Sequence, residues 1–382
     1  MRSRGLAVAV VALTMMGLTA CSGAGGGTGG AGAGGGAAAV TSFDNAPQGI
    51  KARGTLDQFC GKGTVKVAYI DGFGGNTWRK TTLAELQDEA SKCPNVELKY
   101  FNANGDQATY ISQVNAATAQ NYNALITYDD FGQAVLPALK QAHAAGVAVV
   151  PFAASPGGTP GVDYTGFVSD DVTAAPKAWA EFMNRATDGK GNLVFLGGTP
   201  GDPTSQAYLN AFLDAMKAYP GMKMLTGDTP VTTNYDVAQA QKAMGGLLTK
   251  YSKIDGVVAF YSAGQGLGAM QAYIAAGVPL PAFAGGSDVN QEVCLWHKHS
   301  ASDPAFQIFG SEGSTYIGRI ALRQAVAAAQ GEKDPESWTF ERFTGIDTLN
   351  KDIPACNPQL PPDADLWSTL PEAKLVQALK GD

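Results

Sequence analysis

Asp71 closes an apolar run that begins at Val65, and within eight further residues come Gly72, Phe73, Gly74, Gly75, Asn76, Trp78 and Arg79. A strand, a glycine loop and a helix in that order can cradle a pyrophosphate. The fingerprint for that use is Gly-x-Gly-x-x-Gly. Gly72-Phe73-Gly74-Gly75-Asn76-Thr77 lacks its third glycine, the Lys-Ser/Thr of a Walker loop is absent, and Trp78 crowds the place of the pyrophosphate. The same residues suit a sugar or polyol. An indole packs on a C–H face, and Asn, Arg and carboxylate groups bond neighbouring hydroxyls in pairs, with charge-assisted strength. The plain alternative is that Trp78 caps the following helix against the core.

For such residues to meet, the elements must bring their loops together. The chain predicts strands at 65–70, 96–101, 124–128 and 147–153, with helices between them at 80–91, 109–120 and 133–145. The strands are continuous Val/Ile/Ala runs, the pattern of a parallel sheet covered on both faces. A Pro/Gly loop at 155–161 follows, and the rhythm restarts with strands at 192–196, 222–226, 256–261 and 281–284. This is an α/β chain of two doubly wound, Rossmann-like lobes, expected over 55–155 and 156–305. Five prolines between Pro354 and Pro371 predict an extended wrap for the tail, 331–382.

In open α/β sheets, ligands bind beyond the carboxyl ends of the strands. The candidates there are Asp71, Phe73, Asn76, Trp78 and Arg79, then Tyr128, Asp129 and Asp130, then Phe152. The second unit offers Gln206, Tyr261, Ser262, Asp288 and Asn290, and Glu312 follows later. Each has a plainer reading. Asp130 is a possible helix N-cap, Asp71 and Asp288 possible turn residues, and Tyr128 and Tyr261 possible core residues.

Arg2 and Arg4 precede an apolar run from Leu6 to Leu18, and Leu18-Thr19-Ala20-Cys21 ends it. That is the form of a signal peptide over 1–20. Its end resembles a bacterial lipoprotein box, which implies cleavage before Cys21 and lipid attachment there. Ser22–Ala39 is almost all Gly and Ala and predicts a flexible tether within 21–54. With 27 basic against 34 acidic residues and no Lys/Arg run longer than two, nucleic acid is not an expected partner. Beyond Cys21, Cys60, Cys93, Cys294 and Cys356 form an even set with three possible connectivities. Their spacing matches no zinc pattern. Cys60 and Cys93 precede two strands expected to start side by side, which favours Cys60–Cys93 and leaves Cys294–Cys356.

Residues 65–330 resemble the type I periplasmic binding proteins of sugar importers, the ribose- and galactose-binding group. "GNTWR" at 75–79 is similar to their first loop, and "LITYDDFGQAVLPAL" at 125–139 to their strand followed by a sugar-binding Asp, with Asp130 the matching position. Gln206 in "GTPGDPTSQAYLNAF" falls where ribose-binding members carry Arg; Ser262 and Ala263 fall on their Asn-Asp; Ser287 or Asp288 falls on a later Asp, and Glu312 on a late Gln. The departures are therefore in the second lobe. The resemblance implies a multi-strand hinge, a ligand cleft between the lobes, and a return of the chain to the first lobe at about 308–330. It also implies a monomer that carries a small carbohydrate or polyol to ABC permease subunits, with no cofactor, on the extracytoplasmic face of the membrane.

Two other functional classes share part of this pattern. A ligand sensor signalling to a membrane receptor has the same sequence features. A carbohydrate-active enzyme needs carboxylates that flank a bond from both sides, and adjacent Asp129 and Asp130 cannot do so. His143, His297 and His299 fall on predicted helices, and no Gly-x-Ser-x-Gly occurs. A binding protein without catalysis is the reading these features favour.

Overall fold

The computed structural model describes residues 54–61 and 63–380. The expected signal peptide, the Cys21 lipid site and nearly all of the tether lie outside the described residues.

The first sheet is parallel and contains β1 (Val65–Asp71), β2 (Val96–Asn102), β3 (Ala124–Tyr128) and β4 (Ala148–Pro151) in the order β2-β1-β3-β4. Helices α1 (Thr77–Ala90), α2 (Gln107–Ala119) and α3 (Leu136–Ala144) connect them. Residues along β1 alternate between two cores. Val67 and Tyr69 pack with Ile126 and Val150 on one face, while Ala68 and Ile70 pack with Leu125, Val149, Tyr110 and Leu139 on the other. Both faces are apolar because both are covered, which explains the unbroken runs in the sequence.

The chain then crosses through β5 (Ser169–Asp170) to α4 (Ala174–Ala186), β6 (Gly191–Gly197), α5 (Pro203–Met216), β7 (Met222–Met224), β8 (Val231–Thr232), α6 (Val237–Lys250), β9 (Gly256–Ala259), α7 (Leu267–Ala276), β10 (Ala282–Gly286), α8 (Asn290–His299) and β11 (Ile308–Ser311). Next come α9 (Ile317–Ala329), β12 (Thr339–Phe340), β13 (Thr344–Asp347) and α10 (Glu372–Lys380). The second sheet runs β13-β11-β10-β9-β6-β7, with β8 also on β6. β13 is antiparallel to β11; the other pairings are parallel.

The chain's return starts later than the resemblance implied. β11 still belongs to the second sheet, and the helix α9 is what packs on α1 and β4 of the first lobe. After α9, β12 pairs with β5 and the chain crosses again to β13. The tail also departs from a purely extended wrap, because it ends in α10 against α1. Pro371 directly precedes this helix, Glu372 lies in its first turn, Lys380 in its last, and Leu375 is fully buried. Those are ordinary helix-start and helix-end signals, masked in the sequence by the prolines before them.

Cys60–Cys93 and Cys294–Cys356 are bonded, with Cα separations of 5.2 and 4.7 Å. The first ties the entry of β1 to the entry of β2. The second anchors the tail to α8.

Candidate functional site

The glycine loop after β1 spends its backbone donors on its own lobe. Phe73 N and Gly74 N donate to Asp71 Oδ1 at 3.3 and 3.1 Å. Gly74 and Gly75 hold φ of 61° and 84°, as a tight turn needs. At Gly72 a Cβ would stand 2.5 Å from Asp130 Oδ2, so this glycine admits the carboxylate of the next loop. The loop is a brace for Asp71 and Asp130, and the Phe73 and Gly74 amides that could face a phosphate are held by Asp71.

That brace positions Arg79. Asn76 caps α1 by accepting from Arg79 N at 2.9 Å. The guanidinium then donates to Asp71 at 2.7 Å and to Asp130 at 2.8 Å, and lies 3.2 Å from the centroid of the Tyr128 ring. Tyr128 in turn meets the Trp78 ring edge-on at 5.6 Å. Trp78 Nε1 donates to Gly313 O at 2.5 Å, and Thr77 Oγ1 lies 3.3 Å from Tyr261 OH, so both residues reach from the first lobe to the other side.

Between the lobes lies a narrow cleft, whose space counted out to open solvent is about 570 Å³. Asn76, Trp78, Arg79, Tyr128 and Ala153 wall it from the first lobe. Thr204, Tyr235, Phe260, Tyr261 and Ser287 wall it from the second. Asp170 and Arg342 come from the crossing segments between the lobes. Tyr235 sits 6.2 and 6.0 Å from Phe260 and Tyr261, making an aromatic wall opposite Trp78 and Tyr128. Ala153, Tyr235 and Ser287 all have positive φ, at 59°, 58° and 63°. Backbone held this way in non-glycine residues costs about 1–3 kcal/mol each and gathers at functional sites.

Of the residues singled out in the sequence, Asn76, Trp78, Arg79, Tyr128 and Tyr261 stand on this wall. Asp71 and Asp130 stand one layer behind, as Arg79's partners. Burial pushes the Asp130 carboxyl up to about 6 even with Arg79 opposing the shift, and its Oδ2 has no hydrogen bond. Asp130 does not cap a helix; Phe131 holds the cap position of the turn that follows.

The others lie elsewhere. Phe73 is 45% exposed and stacks on Phe131 at 5.9 Å. Asp129 points into the first lobe, bonded to Tyr110 OH and to Thr127 Oγ1 at 3.1 Å, and its burial raises the carboxyl to about 7. Phe152 is fully buried against Tyr69 and Tyr128. Gln206 turns along α5 to Asn210 and Asp228 O, both at 2.9 Å. Ser262 is buried and bonds Glu292. Asp288 accepts from Trp367 Nε1 at 2.8 Å, and Asn290 bonds Asn357 O at 2.7 Å and Asn357 N at 2.9 Å. Glu312 accepts from Ser314 N and from Tyr316 OH at 3.0 Å, and burial lifts it to about 7.

The corrections in the second lobe are small displacements. Ser287 lies one residue before Asp288 and Thr204 two before Gln206, while Phe260 joins its neighbour Tyr261 on the wall. Past the end of β10 one step along the chain takes Asp288 off the wall that Ser287 lines, and on α5 two steps turn Gln206 to the far side of the helix from Thr204. Asp170 and Arg342 had no such signal, since neither follows a strand of the two alternating units.

Among the described residues no group of His, Cys, Asp and Glu could hold a metal ion, and no helix is long and apolar enough to cross a membrane.

A family model, the periplasmic binding protein domain, matches residues 67–333. The xylitol-binding protein of Mycolicibacterium smegmatis is 30% identical over 194 residues, 50% of this chain and 54% of that relative, so the chain spans about half the relative's length. Among solved structures, the Caulobacter myo-inositol binding protein bound to myo-inositol superposes with a TM-score of 0.66 at 21% identity, covering 76% of this chain and 96% of that one. A Mycobacterium smegmatis protein in complex with β-D-fucofuranose gives 0.63 at 19% identity, covering 83% and 98%. At such identities these two likenesses are of fold.

Proposed function

Because the chain belongs to the periplasmic binding protein family, we propose that it captures a small carbohydrate or polyol outside the cytoplasm and hands it to the permease of an ABC importer. The observation that carries this reading is the cleft wall itself. Aromatic rings face each other from the two lobes, and Asn76, Thr204, Ser287, Asp170 and two arginines stand among them. Rings suit the C–H faces of a polyhydroxy compound and the polar groups suit its hydroxyls. The relative named for xylitol and the neighbours holding myo-inositol and a furanose support the same ligand class.

In this reading the first lobe spans about 55–155 with α9 returned to it, the second about 156–311 with β13 added to its sheet, and the rest of 331–382 packs across both. The lobes close over the ligand while the crossing segments absorb the change. Cys21 carries lipid, the tether lets the body reach the permease, and the protein acts as a monomer without catalysis.

A thermal-shift screen over pentitols, inositols and aldoses tests it. A ligand that binds only the folded state stabilises by RT ln(1 + [L]/Kd), about 2.7 kcal/mol at a hundredfold excess over Kd. A clear rise in Tm with at least one of them is expected. No shift with any of them, at millimolar concentrations, would overturn the reading.

A further inference from the structure

Two buried arginines line the cleft, and only one has both terminal nitrogens on carboxylates. Arg79 gives both terminal nitrogens to carboxylates, Nη1 to Asp71 and Nη2 to Asp130. Arg342 faces one carboxylate, Asp170, with Nε 2.5 Å from Oδ2. Among the described residues, no hydrogen bond involves its Nη1 or Nη2. The side chain is only 10% exposed. A guanidinium carries five N–H donors; Nε is buried without an aligned hydrogen bond, while Nη1 and Nη2 keep contact with solvent in the cleft and are free for a ligand. They are aimed at the end of β10. A Cβ on Gly286 would lie 2.9 Å from Nη1, so the glycine makes room for the guanidinium next to the wall residue Ser287.

We propose that Arg342 is the principal hydrogen-bond donor to the ligand and, with Asp170, sets the specificity of the site for paired hydroxyls. The proposal rests on the reading that the cleft binds a polyhydroxy compound. It adds that a residue beyond position 333, where the family match ends, completes the site. Arg342 sits in the crossing between β12 and β13, so the segment that joins the lobes also contacts the ligand. Asp170 lies on β5, which pairs with β12 at Asp170–Phe340. Tyr208 OH donates to Asp170 Oδ2, and the Arg342 guanidinium lies 5.5 Å from the Tyr208 ring centroid. The pair is thereby fixed before any ligand arrives.

A hydroxyl can accept from Arg342 and donate to a carboxylate at once; a carboxylate or phosphate ligand can only accept. The two guanidinium groups are already matched by Asp71, Asp130 and Asp170, with Glu312 also near Arg342. No lysine or histidine stands on the wall. An added anion would meet uncompensated carboxylates, so sugar acids and sugar phosphates are rejected by the same arrangement that accepts hydroxyls.

The test is calorimetry on the full chain with xylitol and myo-inositol, beside D-xylonate and myo-inositol phosphate. The wild type should bind one of the neutral compounds and bind its anionic counterpart at least 100-fold more weakly. Arg342→Lys keeps the charge but loses the fork of donors, and should weaken neutral-ligand binding tenfold or more. Arg342→Gln with Asp170→Asn removes both charges together, so no lone buried charge is left to unfold the protein. It should also lose tenfold or more, and the ratio against the anion should shrink. Wild-type affinity in Arg342→Lys, or in the double variant with a native melting curve, overturns the role of Arg342. Equal binding of polyol and anion by the wild type overturns the specificity argument. A wild type that binds nothing in a broad neutral panel removes the underlying functional reading instead, and this proposal with it.

Discussion

After β1, Asn76, Trp78 and Arg79 stand on the cleft wall; after β10, Asp288 and Asn290 turn away from it and hold the tail. The residue types are alike, and both groups follow a parallel strand at its carboxyl end. The difference is what else competes for them. The polar side chains after β1 are held mainly by their own lobe, with Trp78 Nε1 on Gly313 O and Thr77 Oγ1 near Tyr261 OH the exceptions, and the carboxylates there brace an arginine toward the cleft. The end of β10 meets residues 357–367, which take the Asp288 and Asn290 side chains and pair Asp365 with Val289. A polar strand end is thus available for a ligand only where no later segment of the chain has claimed it. The same tail goes on to the first lobe, where Ser368 Oγ, Thr369 N and Thr369 Oγ1 donate to Glu85 of α1, and Lys374 pairs with Asp88. It is a strap across both lobes.

If the contrast is right, changes on the strap should cost stability and changes on the wall should cost affinity. The largest expected effect is loss of the Cys294–Cys356 bond by Ser at both positions. The disulfide spans 62 residues, and its removal should destabilise by about 4 kcal/mol in the chain-entropy model. A denaturant melt reads this directly. Next, Asn290→Ala should cost about 2–3 kcal/mol, since it strands buried partners on Asn357 and Leu360. Ligand affinity, measured on protein still folded, should be little changed. Trp78→Ala should do the reverse. It should weaken binding by about 2 kcal/mol, roughly 30-fold, with a smaller stability loss than Asn290→Ala.

Asp365 sharpens the picture through pH. Its burial raises the carboxyl to about 8, and Oδ2 has no hydrogen bond. The folded state therefore holds a proton that the unfolded state releases near the ordinary value of about 4. Stability from this group is full below that value and is lost as pH rises toward 8. Asp365→Asn should flatten the fall in Tm between pH 5 and pH 8, an effect visible in paired melts. The smallest effect is expected at Gln206→Ala, within about 0.5 kcal/mol for both stability and affinity, because the side chain bonds only Asn210 and Asp228 O on the surface.

The two-sheet architecture was legible because Val67, Ile70, Leu125, Val150, Val194 and Val257 are buried on covered parallel strands, and such runs need no tertiary context to be seen. The Cys60–Cys93 pairing followed from strand starts for the same reason. The first-lobe part of the cleft was readable since Asn76, Trp78 and Arg79 are adjacent in sequence and lie on one turn of helix. The second-lobe part was readable only in part: Tyr261 was found and Ser287 offered beside Asp288, but Thr204 shares a helix with the chosen Gln206, and Phe260 and Tyr235 look like core aromatics in the sequence. Arg342 was hidden altogether. Its position depends on β12 pairing with a two-residue strand 170 positions earlier in the chain, a contact with no local signature.

The most direct test of a ligand held between the lobes is a crystal structure of the protein with the compound that gives the largest thermal shift. The account predicts density bounded by Trp78 and Tyr128 on one side, Tyr235 and Phe260 on the other, with Arg342 and Asp170 in hydrogen-bond reach of its hydroxyls. Density seated instead against Gln206, or on the strap beside Asp288 and Asn290, with the cleft left to solvent, would contradict it.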